Sequence, residues 1–440
     1  MSATLLRLTD CAQFARKSRN QDVPIVEQVN MEVREGEILG LVGRSGSGKS
    51  SLLKIMAGLD TPRTGDVFWK EKKATIQALE AVSIILQDDV LFPWLTVREN
   101  VLLALEAKRQ PKEEREKIAD AIIAVLDMDG YEGAYPRELS GALEERASLI
   151  RALARQPEIL LLDEPFLNID HLSAENLRTD LIELWQEHRL GPLKAMVLAT
   201  HAIEEAVLMC DRILLFSSGP GRITHEVVVP FPHPRNRQDN DFRHFVDQIY
   251  TLMTLRAPSV SEADLSVAKQ DEIQDESSSF IVLPDISIEL LVGLMEALDH
   301  APLSGRADLP ELANQLQMTL DDLFPLGETL QLLDLAELED GDIMLTSTGR
   351  TFVEGDADAR RDIMRTALLH AVPLLRLIRG TLDERSSHAM DADIFRRKLE
   401  DTMSTSYARQ TLNTAISWAR YASLFGYDEE TDRVLLEDDE

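Results

Sequence analysis

Eight consecutive residues of this 440-residue chain, Gly43, Arg44, Ser45, Gly46, Ser47, Gly48, Lys49 and Ser50, are suited to holding a polyphosphate. Glycines let successive backbone N–H groups face phosphate oxygens, and a helix starting there adds partial positive charge. Lys49 can then neutralise the β- and γ-phosphates, and Ser50 offers a hydroxyl to Mg²⁺. A second group is Asp163 and Glu164, at the end of the apolar run 158–162. Phosphoryl transfer asks a protein mainly for positioning and charge neutralisation, so two carboxylates with separate tasks make sense there: Asp163 in the Mg²⁺ shell, Glu164 orienting and polarising the attacking water. A third is His201, following Thr200 after the apolar run 195–199, from where it could donate a hydrogen bond to a γ-phosphate. Each has a plainer alternative: a flexible Gly/Ser turn, an Asp-Glu-Pro turn and a structural histidine.

These groups serve one reaction only if strands bring them together. The run 38–42 reads as a strand entering the phosphate loop, with helix formers after it, and 158–162 and 195–199 read as two more strands. Gln87 closes a further apolar strand, 82–86, and precedes a loop containing Phe92, Pro93, Trp94 and Leu95. That cluster is either a docking surface or buried under its own loop. Leu139, Ser140 and Gly141 open a segment with helical spacing of Leu143, Ala147, Ile150, Leu153 and Ala154, so Ser140 and Gly141 could equally be only an N-cap.

A length of 440 residues suggests two or three domains, and 44% apolar residues suffice for real cores. No apolar run approaches the roughly 18–20 residues of a membrane span, and the N-terminus lacks a signal-peptide pattern, so the chain is expected to stay in the cytosol. The two cysteines, Cys11 and Cys210, have no metal or redox spacing. A net charge of −31 argues against nucleic acid, whose binding rests on clustered Lys and Arg. The acidity is uneven: residues 281–440 hold 32 Asp/Glu against 14 Lys/Arg, a net of −18, which suggests a separate C-terminal unit.

Taken in this order, the motifs resemble the ATPase subunit of an ABC transporter, over about residues 4–230. The resemblance implies an α/β fold: a P-loop NTPase nucleotide-binding domain of the ABC type with a helical subdomain. ATP and Mg²⁺ are the implied cofactors. Residues 43–50 together with Ser51 would be the Walker A loop, Gln87 the Q-loop with a place in the Mg²⁺ shell beside Ser50 and Asp163, and Glu164 the catalytic carboxylate. Asp170 would be the D-loop, His201 the switch histidine, and Phe14 the aromatic stacking on adenine. Family members work in pairs, so Ser140 and Gly141 would close on ATP held by a second nucleotide-binding subunit, identical or different. The stretch 92–95 would lie beside a transmembrane permease, with a solute-binding protein as an indirect partner, at the cytoplasmic face of the membrane.

The signature departs from the usual family form at Ala142, Glu144 and Glu145. If position 142 needed positive φ, its Cβ would cost roughly 1–2 kcal/mol. A glutamate about 10 Å from a γ-phosphate would add roughly 0.4–1.7 kcal/mol of repulsion per charge pair, so slower but surviving hydrolysis is expected.

Beyond the core, residues 256–279 read as a polar linker between a nucleotide-binding domain, 1–255, and a C-terminal accessory or regulatory domain, 280–440. Before the linker, 242–253 reads as a short amphipathic helix; after it, helical patterns at 286–298, 309–316 and 320–335 precede a hairpin at 336–345, which suggests a mainly α, winged-helix-like unit. Segments 356–378 and 405–424 read as helices packing onto it. From Glu311 to Asp342 there are nine acidic residues and no Lys or Arg, so DNA would be repelled. In the segments 320–337, 345–352 and 413–427 the tail resembles the C-terminal domain of some ATPase subunits of nitrate, sulfonate, taurine and bicarbonate importers. Import of a small anion is thereby implied, with a soluble ABC ATPase or an ATP-dependent switch as the alternatives.

Overall fold

The computed structural model describes residues 2–17, 21–75, 78–87, 91–106, 111–167, 169–217, 220–254, 280–300, 303–339, 341–385, 388–400, 403, 405–429 and 431–436. The expected linker 256–279 lies outside them, as does Asp340 of the expected hairpin turn. The chain forms two compact units, Met1–Val246 and Asp247–Glu440. No helix among the described residues is long and apolar enough to cross a membrane.

The first unit is organised by a six-stranded sheet. Its spatial order is Ile223–Val228, Arg212–Phe216, Glu37–Val42, Ala195–Thr200, Ile159–Asp163 and Val82–Ile85. Every pairing is parallel except that of the edge strand Ile223–Val228. The four inner strands are buried along their whole length. That is why they read as continuous apolar runs: a parallel sheet is covered on both faces. Leu39, Leu41, Leu161, Val197 and Leu214 pack with Leu52, Leu53 and Ile55 of the helix Lys49–Met56. A four-stranded antiparallel sheet lies beside it, ordered Gln21–Arg34, Thr4–Lys17, Thr64–Trp69 and Lys72–Lys73. Helices Val97–Glu106, Lys112–Val125 and Gly141–Ala154 pack on one another as a helical subdomain.

Parallel strands leave their C-terminal ends along one edge, where open α/β sheets bind ligands. Val42, Ile85, Asp163 and Thr200 end their strands at that edge, so Gly43, Gln87, Glu164 and His201 each follow within two residues.

The second unit repeats one topology. Helix Ile288–Asp299, strand Arg306–Asp308, helices Leu309–Leu316 and Leu320–Leu332, and strands Ala336–Glu339 and Asp342–Leu345 form a winged-helix arrangement with the last strand central. Helix Pro373–Glu384, strand Ala389–Asp391, helices Asp393–Glu400 and Thr405–Tyr421, and strands Gly426–Asp428 and Arg433–Leu435 follow the same order, again with the last strand central. Ile343 pairs with Ala307 and Leu338 as Val434 pairs with Met390 and Tyr427. The first strands end in Asp308 and Asp391, and each carboxylate accepts a backbone N–H of the next helix. The second copy corrects the expectation of helices merely packing on the first. The single expected helix 356–378 is also two, Ala357–Ala371 and Pro373–Glu384, because a proline has no N–H and pushes the preceding residue out of the helical region. Val372 sits at φ −112 and ψ 98. Trp418 is fully buried and donates from Nε1 to the Ile286 carbonyl at 2.8 Å, while Tyr421 is only half-buried. Tyr250, on helix Asn240–Thr254, donates to Asp321 and lies edge-on to Phe324 within this unit.

Candidate active site

The phosphate loop turns on two left-handed glycines, Gly46 at φ +80 and Gly48 at φ +92. A side chain at 48 would be strained by that φ and would also place its Cβ 2.4 Å from Val26 Cγ1. Gly43 has no room either, since a Cβ would lie 2.9 Å from the Phe216 carbonyl oxygen. The backbone therefore curls tightly over the strand end, and helix Lys49–Met56 starts directly behind it with Gly48 as N-cap.

Lys49 is 5% exposed and its Nζ donates back to the carbonyls of Gly43 at 2.6 Å and Arg44 at 3.2 Å. The same ammonium is 3.7 Å from Glu164 Oε1. Ser50 Oγ donates to Asp163 Oδ1 at 3.0 Å, and His201 Nδ1 lies 2.9 Å from Glu164 Oε2. Gly43 N–H donates to the Thr200 carbonyl at 3.4 Å, joining the loop to the histidine strand. Lys49, Ser50, Asp163, Glu164 and His201 are thus one connected cluster at the sheet edge.

Burial raises the Asp163 carboxyl to about 6, against the opposing hydrogen bond from Ser50. Burial alone would raise Glu164 too, but the His201 charge, its hydrogen bond and Lys49 outweigh that and hold Glu164 below its ordinary value. The Glu164 charge in turn lifts His201 to about 9, more than its own burial lowers it. The imidazole is therefore a cation at neutral pH. A buried carboxylate lacking full compensation at Asp163, beside a hydroxyl, fits a divalent cation. Ser47 Oγ is buried without a hydrogen-bond partner inside the glycine-lined curl, as expected of a cradle made for another group's oxygens.

Other expected residues lie elsewhere. Gln87 is half-buried beyond the strand Val82–Ile85. Phe14 is half-buried on Thr4–Lys17, opposite Pro24, whose neighbour Ile25 closes on Gly48. Asp170 caps helix His171–Gln186, accepting from Ser173 N–H at 3.0 Å, and hydrogen bonding from the Ser173 hydroxyl first and its backbone second holds the carboxyl below the usual range. Ser140 caps Gly141–Ala154 by accepting from Leu143 N–H, so it sits on the helical subdomain and not at the sheet edge. Ala142 has ordinary helical backbone, so the anticipated cost of a left-handed alanine does not arise. Phe92 and Trp94 are 39% and 69% exposed, with ring centroids 5.4 Å apart, which excludes burial under their own loop.

Sequence inspection missed Thr200, Glu205 and Arg178, all buried directly behind His201. The available signal was a carboxylate on the otherwise apolar face of helix Ile203–Met209.

Residues 26–167 match the ABC transporter family, and residues 310–428 match the C-terminal AAA-associated domain. The chain is 37% identical over 230 residues to an aliphatic sulfonates import ATP-binding protein of Bacillus subtilis, covering 52% of this chain and 86% of that one. It is 34% identical over 267 residues to a nitrate import ATP-binding protein of Synechocystis, covering 59% and 98%. A bicarbonate transport ATP-binding protein of Synechococcus elongatus is 38% identical over 214 residues, covering 48% of this chain and 32% of that protein. With a nucleotide cradle, two strand-end carboxylates and a charged histidine in one cluster, the chain belongs to the ABC transporter ATP-binding proteins and is an ATPase.

Proposed function

We propose that this chain powers an importer of a small anion, of the nitrate, sulfonate, taurine or bicarbonate type, by ATP-driven closure of a pair of nucleotide-binding subunits at the cytoplasmic face of the membrane. The observation supporting the ATP-driven step is the Glu164–His201 pair, 2.9 Å apart and joined through Lys49 to the phosphate loop, and the anion-import reading rests on the likeness to sulfonate and nitrate import ATP-binding proteins. ATP phosphates would lie against residues 43–51, with Phe14 against the adenine and Ser140 and Gly141 of a second subunit closing over them. Mg²⁺, which supplies charge neutralisation on the phosphate oxygens, would be held by Ser50, Asp163 and Gln87. Glu164, ionised between two cations, orients a water and takes its proton on a carboxylate oxygen. His201 holds its proton for donation to phosphate oxygen, and Lys49 offsets charge developing there. Asp170 orients the segment that meets the second subunit.

A permease would dock where the first unit offers a cavity of about 620 Å³ between core and helical subdomain, lined by Leu79, Ile84, Phe92, Asn100, Leu103 and Arg155 among others. Exposed Trp94 stands beside Phe92, one of the lining residues. A solute-binding protein would deliver the anion to that permease. We assign 1–246 to the nucleotide-binding domain and 280–440, together with 247–254, to an accessory, regulatory domain, with 256–279 as a linker; the expected boundary at 255 moves back because Tyr250 and Thr254 hydrogen-bond to Asp321 and Gly341 of the second unit.

The test is uptake of labelled nitrate, taurine and bicarbonate by cells lacking the chain and by cells carrying the Glu164→Gln form. Loss of one uptake in both supports the proposal. Unchanged uptake of all three, with Mg²⁺-dependent ATPase activity intact in the purified protein, would point to an ATPase not coupled to anion import. Deleting residues 257–440 tests the regulatory role: unchanged ATPase activity and uptake would refute it.

A further inference from the structure

Thr200 ends its strand and carries three restraints at once. Its carbonyl accepts from Gly43 N–H, its hydroxyl accepts from Ala202 N–H at 3.1 Å, and the same hydroxyl donates to Glu205 Oε2 at 2.5 Å. The other carboxylate oxygen of Glu205 accepts from Arg178 Nη1 at 3.2 Å. Arg178 in turn places its guanidinium 5.4 Å from the ring centroid of Phe166, two residues beyond Glu164. Thr200, Glu205, Arg178 and Phe166 are each less than a tenth exposed.

A buried ion pair is weak evidence for stability, because desolvating both charges offsets most of their attraction. Burial also raises the Glu205 carboxyl to about 7, more than Arg178 and the Thr200 bond lower it. What the pair does supply is geometry. A threonine hydroxyl that must donate to Glu205 keeps its lone pairs on Ala202 N–H, and this fixes the turn from which the His201 side chain projects.

We propose that Glu205 is a positioning residue for hydrolysis, fixing the Thr200–Ala202 turn so that His201 stays on Glu164, with Arg178 locking Glu205 and tying the turn through Phe166 to the stretch leading to Asp170. Replacing both charges by apolar side chains separates this role from a structural one, since such a double replacement usually preserves stability. In the Arg178→Leu/Glu205→Leu protein, kcat falls ten- to a hundredfold, KM for MgATP stays within about twofold and the melting temperature is kept. Thr200→Val, which keeps the shape and removes the hydroxyl, lowers kcat in the same way, and Thr200→Ser restores it at least in part. Wild-type kcat in the well-folded double variant, or in Thr200→Val if the double variant does not fold, overturns the proposal. So does a loss confined to KM.

Discussion

Replacing Glu164 by Gln keeps the volume at the centre of the cluster and removes one charge. In the native protein this carboxylate is 6% exposed, 2.9 Å from His201 Nδ1 and 3.7 Å from Lys49 Nζ, and its charge is the main reason His201 titrates at about 9 instead of 6.5. That shift corresponds to about 3.4 kcal/mol at 1.36 kcal/mol per unit. Because the imidazole is 37% exposed, solvent screening reduces the coupling to about 1–2 kcal/mol. Since the folded value is raised, the pair stabilises fully below pH 6.5 and loses its contribution as pH rises through 9. The melting-temperature gap between native and Gln proteins should therefore be widest near pH 6 and shrink toward pH 10. In the variant, His201 ring resonances should titrate back toward 6.5. Turnover at saturating MgATP should fall about 10²–10⁴-fold, the usual contribution of a positioned proton acceptor. Turnover within a few-fold of native, or a His201 still titrating near 9, would refute the roles assigned to this pair.

Gly48→Ala meets both a left-handed backbone and a contact of 2.4 Å, so nucleotide affinity, read with a fluorescent ATP analogue, should drop at least tenfold; native affinity would mean the loop can reshape. Trp94→Ala removes an exposed ring, so basal ATPase activity should persist while anion uptake falls; equal uptake would exclude this ring from the permease contact. Trp418→Phe strips the Ile286 carbonyl of its donor and should cost about 1–3 kcal/mol by denaturant unfolding of the whole chain, monitored on the second unit's transition; a change below about 0.5 kcal/mol would mean another donor takes over.

Much of the active cluster was legible because its chemistry is local in sequence. A glycine-rich loop after an apolar strand, and acidic or imidazole groups directly after apolar runs, can be read one segment at a time, and the strands Glu37–Val42, Ile159–Asp163 and Ala195–Thr200 stand close to where those runs placed them. The helices and hairpin of the first winged-helix copy were legible for the same reason, from helical periodicity and an acidic turn with Gly341 at φ +88, although its three-residue strand Arg306–Asp308 was not. Its second copy was not. Strands Ala389–Asp391, Gly426–Asp428 and Arg433–Leu435 are three residues each, too short for a period-two pattern to register, and they exist only because they pair with one another.

The residue types alone pointed to a nucleotide triphosphate at residues 43–50 and supplied two carboxylates and a histidine of the kinds its hydrolysis uses, because those functions need particular groups beside particular turns. The tertiary structure decided how they are wired. Glu164 is held between Lys49 and His201, and Thr200 is held by Glu205 and Arg178, residues separated by up to 115 positions, from Lys49 to Glu164. Ionisation and orientation at such a site depend on which charges are brought within a few ångströms and how far water is excluded. Both are set by the order of strands in the sheet, which no local segment of sequence specifies.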